Sequence, residues 1–201
     1  DLIPLETLYQ WCTIARKILD NGNWNVSRVI ARPYKIIDGK PTRISKDRRD
    51  YSMIPPHSVL NDIKAAGAKV IGIGKIEDIF SKSGITHAIH TGCNKEGLEL
   101  TLKADKNELD LDKIAYNPNT QFTNDASFIF TNLVDTDMLF GHRNDAKGYG
   151  KAIEEIDTYV DDIVNFMTDE DLLIITADHG CDPTVPGTDH TREYVPILVF
   201  N

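Results

Sequence analysis

The residues best suited to chemistry in this chain are aspartates and histidines that follow apolar runs. One β-branched apolar run stops directly on Asp178 and His179, and His190 follows eleven residues after His179. A second apolar run leads into the segment that carries Asp137 and His142. Ligands of α/β proteins bind at the edge of the sheet where the strands end. Carboxylates and imidazoles at such an edge suit Mn²⁺, Zn²⁺ or iron, so these five residues predict a di-metal site and phosphate-ester chemistry.

The spacing of these residues constrains how they can share an ion. Asp137 and His142 are five residues apart and would not share one face of an α-helix, so we expect a loop that pivots at Gly141. Asp178 and His179 would point to opposite sides of a strand, and one ion can use both only if the backbone then turns sharply. We expect no cysteine in the cluster, which argues against a structural zinc site.

Several other polar residues allow two interpretations. Arg28 and Arg32 lie on one face of a predicted strand, where they form salt bridges or recognise phosphate. Arg43 lies in a segment rich in Arg and Lys that is either solvated or able to hold a phosphate bidentately. Gly72-Ile-Gly74-Lys75 lacks the spacing of a P-loop, and none is predicted. Three further histidines follow no strand with a partner carboxylate and are expected to be surface or packing residues: His57, His87 and His90.

Strands and helices that could position the aspartates and histidines alternate through the second part of the chain. Pro55-Pro56 is the best candidate boundary, so residues 1–55 and 56–201 are predicted to be two domains. Alternating strands and helices predict an α/β fold with a mostly parallel sheet flanked by helices. The polar residues 103–123 are expected to form a surface insertion without a function. The hydrophobic pattern predicts strands over 69–74, 126–134, 172–177 and 195–200 and helices over 58–66 and 148–167.

The first predicted domain has a less regular pattern. Helical spacing of apolar residues begins after Pro4, and Asn21-Gly22-Asn23 is expected to end that helix. Residues 26–37 alternate as one strand before a turn at Asp38-Gly39. Residues 40–51 are expected to form a loop.

Composition and chain ends limit the classes of function. The formal net charge is −9 and the basic residues form no long stripe, which argues against a nucleic-acid partner. No apolar run approaches the roughly 18 residues of a membrane helix, so no membrane partner is expected. The three cysteines form no CxxC pair, which favours a reducing compartment and a cytoplasmic location. The chain begins without Met and stops directly after a strand-like run, so we interpret it as an internal fragment that lacks N-terminal and C-terminal parts.

Longer motifs resemble a known enzyme family. Asp135-Thr-Asp-Met-Leu-Phe-Gly-His-Arg143, Thr176-Ala-Asp-His-Gly180 and Gly187-Thr-Asp-His-Thr-Arg-Glu193 closely resemble the phosphopentomutases of the alkaline phosphatase superfamily. So does the segment Arg28-Val-Ile-Ala-Arg-Pro33. The resemblance covers almost the whole chain and is weakest over residues 93–124. The Asp-His-Gly element is shared by the wider superfamily, whereas residues 187–193 and the Arg28 segment are specific.

The resemblance implies an isomerase that interconverts ribose 1-phosphate and ribose 5-phosphate, and the deoxyribose equivalents. Such enzymes use two divalent ions, usually Mn²⁺, a phosphorylated enzyme and a sugar bisphosphate activator. Asp178 and His179 match ligands of one ion, and Asp137, His142 and His190 match ligands of the other. Residues 1–55 would belong to a smaller, mobile cap domain, and residues 56–201 to a metal-binding core. The positions that match substrate-binding residues are Arg28, Ile30, Arg43 and Lys75.

Two departures from the family pattern affect these expectations. The nucleophilic threonine and one further aspartate ligand are expected upstream of Asp1, so this chain by itself is expected to be inactive. Cys181 follows the Asp-His-Gly element, where the family is expected to have asparagine. We interpret Cys181 as a small buried side chain or as a thiol that recruits softer ions.

Two alternative functions stay open. The first is another metal-dependent phosphomutase or phosphatase of the same superfamily, against which the segment from Arg28 to Pro33 argues. The second is a catalytically dead relative that binds sugar phosphates, against which the presence of all five metal-ligand candidates argues. The resemblance implies small-molecule pentose phosphates as partners, and the sequence predicts no particular oligomeric state.

Overall fold

The computed structural model describes residues 3–22 and 24–201, except for the side chain of Ser45. Asn23, part of the predicted helix end, lies outside the described residues. The chain divides into two compact units, Asp1–Ser58 with Phe80–Ser83 and Val59–Ile79 with Gly84–Asn201. The assignment of residues 1–55 to a cap and 56–201 to a metal-binding core stays a prediction.

The first unit contains one long helix and four short strands. The predicted helix is confirmed: Pro4 is its N-cap, with φ −58° and ψ 144°, and the extended Gly22 follows its last residue. The helix packs on the strands through Tyr9 and Cys12, which are buried together with Ala31. The elements are α1 (Leu5–Asn21), β1 (Arg28–Ala31), β2 (Tyr34–Ile37), β3 (Lys40–Arg43), a 3-10 turn (Ser45–Asp47) and β4 (Arg49–Ser52).

The strands of the first unit form two antiparallel pairs, β1 with β4 and β2 with β3. The single strand predicted over residues 26–37 is wrong, because the strand breaks at Pro33, which has no N–H for a β-ladder. The loop predicted over residues 40–51 is also wrong, because β3 lies within it and β4 begins there. The turn at Asp38-Gly39 is confirmed. Its two φ angles of 51° and 75° suit the two-residue turn of a hairpin.

The second unit carries a three-stranded parallel sheet, with strand order β6-β5-β7. Its elements are α2 (Val59–Ala65), β5 (Lys69–Ile73), α3 (Ile76–Ile79), β6 (His87–Ile89), α4 (Asn94–Asp105), α5 (Leu111–Ile114), β7 (Ser127–Thr131), α6 (Ala146–Phe166), β8 (Leu173–Thr176) and β9 (Ile197–Phe200).

Strand β5 is the centre of the parallel sheet and is buried on both faces. Val70 and Ile73 are 0 % exposed, and Ile71 is 2 % exposed. Ala104 of α4 belongs to the same buried cluster as Ile71 and Ile73, because a central parallel strand needs cover on both faces. The predicted α/β class, with a parallel sheet flanked by helices, is confirmed.

Strands β8 and β9 differ from the prediction, which placed them in the parallel sheet. They pair with each other in antiparallel orientation and form a separate two-stranded sheet, with Leu173 opposite Phe200. The physical reason is the connection between them: the chain reverses through an isolated bridge between Gly180 and Thr191, so β9 returns alongside β8. The carboxyl end of β8 still carries Asp178.

The region around residues 103–123 is more ordered than predicted. It contains the end of α4 and the whole of α5, and Leu109 and Leu111 pack against the cluster formed by Ile71, Ile73 and Ala104. No helix in the described residues is long and apolar enough to cross a membrane.

Candidate metal centre

A reciprocal pair of hydrogen bonds fixes the chain where the segment after β7 enters the candidate site. The backbone N–H of Asn94 donates to Asp135 Oδ2 at 2.7 Å, and the backbone N–H of Asp135 donates to Asn94 Oδ1 at 2.8 Å. Both residues are buried. The sequence analysis missed this pair, because its members are 41 residues apart and no local pattern connects them. The pair anchors the turn that follows.

A π-helical turn, Thr136–Phe140, and a 3-10 turn, Gly141–Arg143, bring Asp137 and His142 together. Their side chains meet with His142 Nε2 at 3.3 Å from Asp137 Oδ1. A π turn joins residues five apart by hydrogen bonds. The five-residue spacing of Asp137 and His142, which we attributed to a loop, is therefore the period of this turn. π turns inside helical segments are frequent at functional sites.

The connection after β8 returns His190 to the same place. The Thr191 N–H donates to the Gly180 carbonyl oxygen at 3.1 Å, and the Asp182 N–H donates to Thr191 Oγ1 at 2.8 Å. These bonds hold the two arms of the loop together. His190 Nε2 thereby lies 3.2 Å from Asp137 Oδ1.

The histidine rings form a stack beside Asp137. The ring of His190 lies between the other two, with centroid distances of 3.7 Å to His179 and 4.9 Å to His142. Asp178 is more distant from this group. Its side chain is 66 % exposed, and Oδ1 lies 3.6 Å from His179 Nε2.

Backbone carbonyl groups orient two of these imidazoles. His142 Nδ1 lies 2.5 Å from the carbonyl oxygen of Thr188, and His179 Nδ1 lies 3.1 Å from that of Gly180. A carbonyl oxygen can only accept, so Nδ1 carries the proton in the neutral form of each ring. Nε2 therefore keeps its lone pair, as in most metal-binding histidines.

The oxygen at the centre of the group is suited to a cation. Asp137 Oδ1 is buried and accepts no hydrogen bond among the described residues. With Nδ1 of His142 protonated, the Nε2 that faces this oxygen is a second acceptor. Two acceptors in contact repel each other unless a positive charge, such as a metal ion or an imidazolium proton, lies between them. The residues at Asp137 therefore fit a divalent ion.

Two overlapping groups of donor atoms could hold ions, and both include Asp137. In each group the donor atoms lie within 4.8 Å of one another. The first group is Asp137, His179 and His190, and the second is Asp137, His142 and Cys181. The structure thus brings four of the five predicted ligands together around Asp137. The division of ligands between two ions stays a prediction.

Cys181 lies in the cluster, which we expected to hold no cysteine, although one of our two interpretations of Cys181 was a thiol that recruits softer ions. Its sulfur occupies space that Gly141 leaves open, since a Cβ at Gly141 would lie 2.3 Å from Sγ. Burial, followed by a hydrogen bond to Asp137, raises the pKa of the thiol. Burial also raises the pKa of the nearby Tyr149 hydroxyl, and the surrounding acidic groups add to this. Our expectation that cysteine is absent from the cluster is wrong.

The four predicted substrate-binding residues lie in different elements. In the first unit, Arg28 and Ile30 lie on β1 and Arg43 lies on β3. Arg28 Nη1 is 3.3 Å from Asp50 Oδ2, so the salt-bridge interpretation of Arg28 describes a real contact. In the second unit, Lys75 is exposed directly after β5. Their role in substrate binding stays a prediction.

The remaining histidines have structural surroundings. His87 begins β6, is 2 % exposed and packs with its ring 5.5 Å from that of Phe122. Burial is the main cause of its lowered pKa. His90 Nε2 lies 3.1 Å from Glu77 Oε2 at the surface, and His57 is exposed. The expected surroundings are confirmed for His57 and His87, but His90 directly follows β6 and has a partner carboxylate in Glu77, so that part of the prediction is wrong.

The chain is similar to known metalloenzymes over most of its length. The model of the metalloenzyme superfamily matches residues 16–201. The chain is 49 % identical to a phosphopentomutase from Anaeromyxobacter sp. (strain K) over 201 residues, which are 100 % of this chain and 47 % of that protein. It is 50 % identical to a phosphopentomutase from Caldanaerobacter subterraneus subsp. tengcongensis over 202 residues, with the same coverage of both. The chain spans about half the length of the curated relatives it matches. The family match over most of the chain, on a site built for a divalent ion, shows that this protein belongs to the metalloenzyme superfamily.

Proposed function

We propose that this chain carries the metal-binding part of a phosphopentomutase, which interconverts ribose 1-phosphate and ribose 5-phosphate and the deoxyribose equivalents. The observation that carries the proposal is the buried Asp137 Oδ1, which lies between two histidines and accepts no hydrogen bond among the described residues, in a chain about half identical to phosphopentomutases. A phosphoryl group in transfer needs positive charge beside its oxygens, and a divalent ion held at Asp137 supplies it.

The metal-ligand set of the proposal is Asp178 and His179 for one ion and Asp137, His142 and His190 for the other. Mn²⁺ accepts carboxylate and imidazole ligands together, so we propose two Mn²⁺ ions. The protein prepares these ligands in advance. The carbonyl oxygens of Thr188 and Gly180 orient His142 and His179, so little rotamer freedom is lost on metal binding.

The proposed substrate contacts come from Arg28, Ile30, Arg43 and Lys75. A guanidinium group binds a phosphate through two parallel hydrogen bonds, and Asp50 limits the rotamers open to Arg28. Ile30, half-buried on β1, would offer an apolar surface to the sugar. Lys75 offers one positive charge at the end of β5.

The proposal assigns no nucleophile to this chain, because the phosphorylated threonine is expected outside it. The chain's own residues bind the phosphate, hold the metal ligands and keep water from the phosphorylated enzyme. A sugar bisphosphate activator and a cytoplasmic location belong to the same proposal. The three free cysteines are in keeping with a reducing compartment.

The test is the conversion of ribose 1-phosphate to ribose 5-phosphate by the intact protein with Mn²⁺ and a sugar bisphosphate. Asp137→Asn removes the charge at the site, and we expect kcat to fall by at least about 10²-fold, the order seen when one transition-state contact is removed. Asp145→Asn is the matched control. Asp145 caps α6 by accepting from the Gly148 N–H at 2.8 Å, and asparagine caps equally well.

Three outcomes separate the proposal from its alternatives. Isomerisation that is lost in Asp137→Asn and kept in Asp145→Asn supports the phosphopentomutase. Release of inorganic phosphate without isomerisation would replace it with a phosphatase. Mn²⁺ binding without either reaction would replace it with a catalytically dead relative.

A further inference from the structure

Cys181 lies among the metal-ligand candidates, and the proposed function does not use it. Its Sγ, one oxygen of Asp137 and one ring nitrogen of His142 lie within 4.8 Å of one another. The side chain is partly buried, unlike that of Cys93, which is exposed. A thiol in this position is a potential third donor to an ion held by Asp137 and His142.

The geometry of the three donors is close to that of a tetrahedral site. Zinc bonds of about 2.0–2.3 Å place neighbouring donor atoms roughly 3.3–3.8 Å apart. Asp137 Oδ1 and His142 Nε2 already have this spacing, at 3.3 Å. Cys181 Sγ lies within 4.8 Å of an oxygen of Asp137 and of a ring nitrogen of His142, so a shift of about 1 Å or less brings it to this spacing.

Two further observations show that this position is shaped for an ion. Gly141 has no side chain, and a Cβ there would meet Sγ at 2.3 Å, so the sulfur packs directly on the backbone beside His142. Asp137 Oδ1 is buried without a hydrogen-bond partner among the described residues. That oxygen faces a ring nitrogen of His142, and the carboxylate that carries it lies beside the sulfur, so the three groups suit a cation.

We propose that Cys181 is a thiolate ligand of the ion held by Asp137 and His142 whenever that ion is thiophilic, such as Zn²⁺ or Co²⁺. A carboxylate and an imidazole alone suit Mn²⁺, whereas a thiolate selects softer ions. The thiol S–H bond breaks as the metal–sulfur bond forms, and the proton leaves to solvent. Zn²⁺ and Mn²⁺ therefore compete for this ion position, and Cys181 favours Zn²⁺.

This inference rests on the proposed metal site but not on the mutase reaction, so binding measurements test it without an activity assay. Co²⁺ is titrated into the intact, metal-free protein while its visible and near-ultraviolet spectra are recorded. A thiolate ligand gives an intense near-ultraviolet charge-transfer band. We expect the band in the wild-type protein and in Cys93→Ser, and its loss in Cys181→Ser and Cys181→Ala.

Affinity gives a second readout. Zn²⁺ should bind wild-type protein more tightly than Cys181→Asn by at least the roughly 10–100-fold that even outer-shell partners contribute. Mn²⁺ affinity should stay nearly equal in the two proteins. Co²⁺ binding without the band, or a band that persists in Cys181→Ser, would overturn the role of Cys181 alone. Failure of the protein to bind Co²⁺ at all would overturn this inference together with the metal centre.

Discussion

Replacement of Gly141 by alanine tests how tightly the candidate site is packed. Gly141 has φ −59° and ψ −61°, so its backbone conformation suits any residue and only space restricts an added side chain. An added Cβ would lie 2.3 Å from Cys181 Sγ and 3.2 Å from the Thr136 carbonyl oxygen. Ordinary contact begins near 3.4 Å, so the sulfur would have to move by about 1 Å.

The magnitude follows from two opposing contributions. Overpacking of this kind costs about 1–3 kcal/mol. Alanine in a compatible conformation stabilises the folded protein by about 0.4–1 kcal/mol, because it restricts the conformations of the unfolded chain. We therefore expect Gly141→Ala to lower the free energy of unfolding by roughly 0.5–2 kcal/mol. In a Cys181→Ala background the sulfur is absent, and the same substitution should become neutral or stabilising.

The assay is urea unfolding of the intact, metal-free protein for the wild type, the two single variants and the double variant. The expected coupling between Gly141→Ala and Cys181→Ala is about 1–3 kcal/mol, in the direction of rescue. If the changes in unfolding free energy of the two single variants sum to that of the double variant within about 0.3–0.5 kcal/mol, the reasoning is refuted, because the sulfur then does not lie against Gly141.

Three further predictions concern the rest of the chain. Because burial lowers the folded-state pKa of His87 below 6.5, the unfolded chain binds its proton first, and stability should fall as pH drops below 6.5. His87→Phe should flatten that dependence in unfolding experiments on either side of pH 6.5. Arg28→Ala should raise KM for ribose 1-phosphate by about 10–100-fold through loss of a charged hydrogen bond. Lys17→Ala, at an exposed position of α1, is the control that leaves KM unchanged. Gly74→Ala should lower the free energy of unfolding by about 2–4 kcal/mol, because Gly74 has φ 81° and its Cβ would meet a backbone oxygen at 2.4 Å. Gly150→Ala, with nothing within 4 Å of its Cβ, should raise it by up to about 1 kcal/mol in the same assay.

The local sequence pattern was sufficient to predict many of the helices and strands of the second unit. The apolar runs predicted β5 and β7, and the period of apolar residues predicted α2 and α6. Such prediction works because the residues of an element that pack on one core recur at the period of that element. The ligand candidates Asp137, His142 and His190 were found for the same reason. They lie downstream of the apolar runs that form β7 and β8, although both strands are only partly buried.

Features set by tertiary structure were not predictable in this way. The bonds between Asn94 and Asp135 join segments 41 residues apart, and nothing in either segment indicates the other. Strands β3 and β4 are short and largely exposed, so they lack the alternation that marks a half-buried strand. The fold of the loop after β8 places Cys181 in the metal centre. A lone cysteine carries no spacing signal for metal binding.

The central claim is that the aspartates and histidines at the carboxyl ends of β7 and β8 belong to a centre for two ions. The most direct test counts Mn²⁺ bound to the intact protein, from the electron paramagnetic resonance signal of the free ion. We predict two ions per wild-type chain, two in the His57→Ala, His90→Ala double variant and one in the His142→Ala, His190→Ala double variant. A single ion in the wild-type protein, or two ions in the His142→Ala, His190→Ala variant, would contradict the claim.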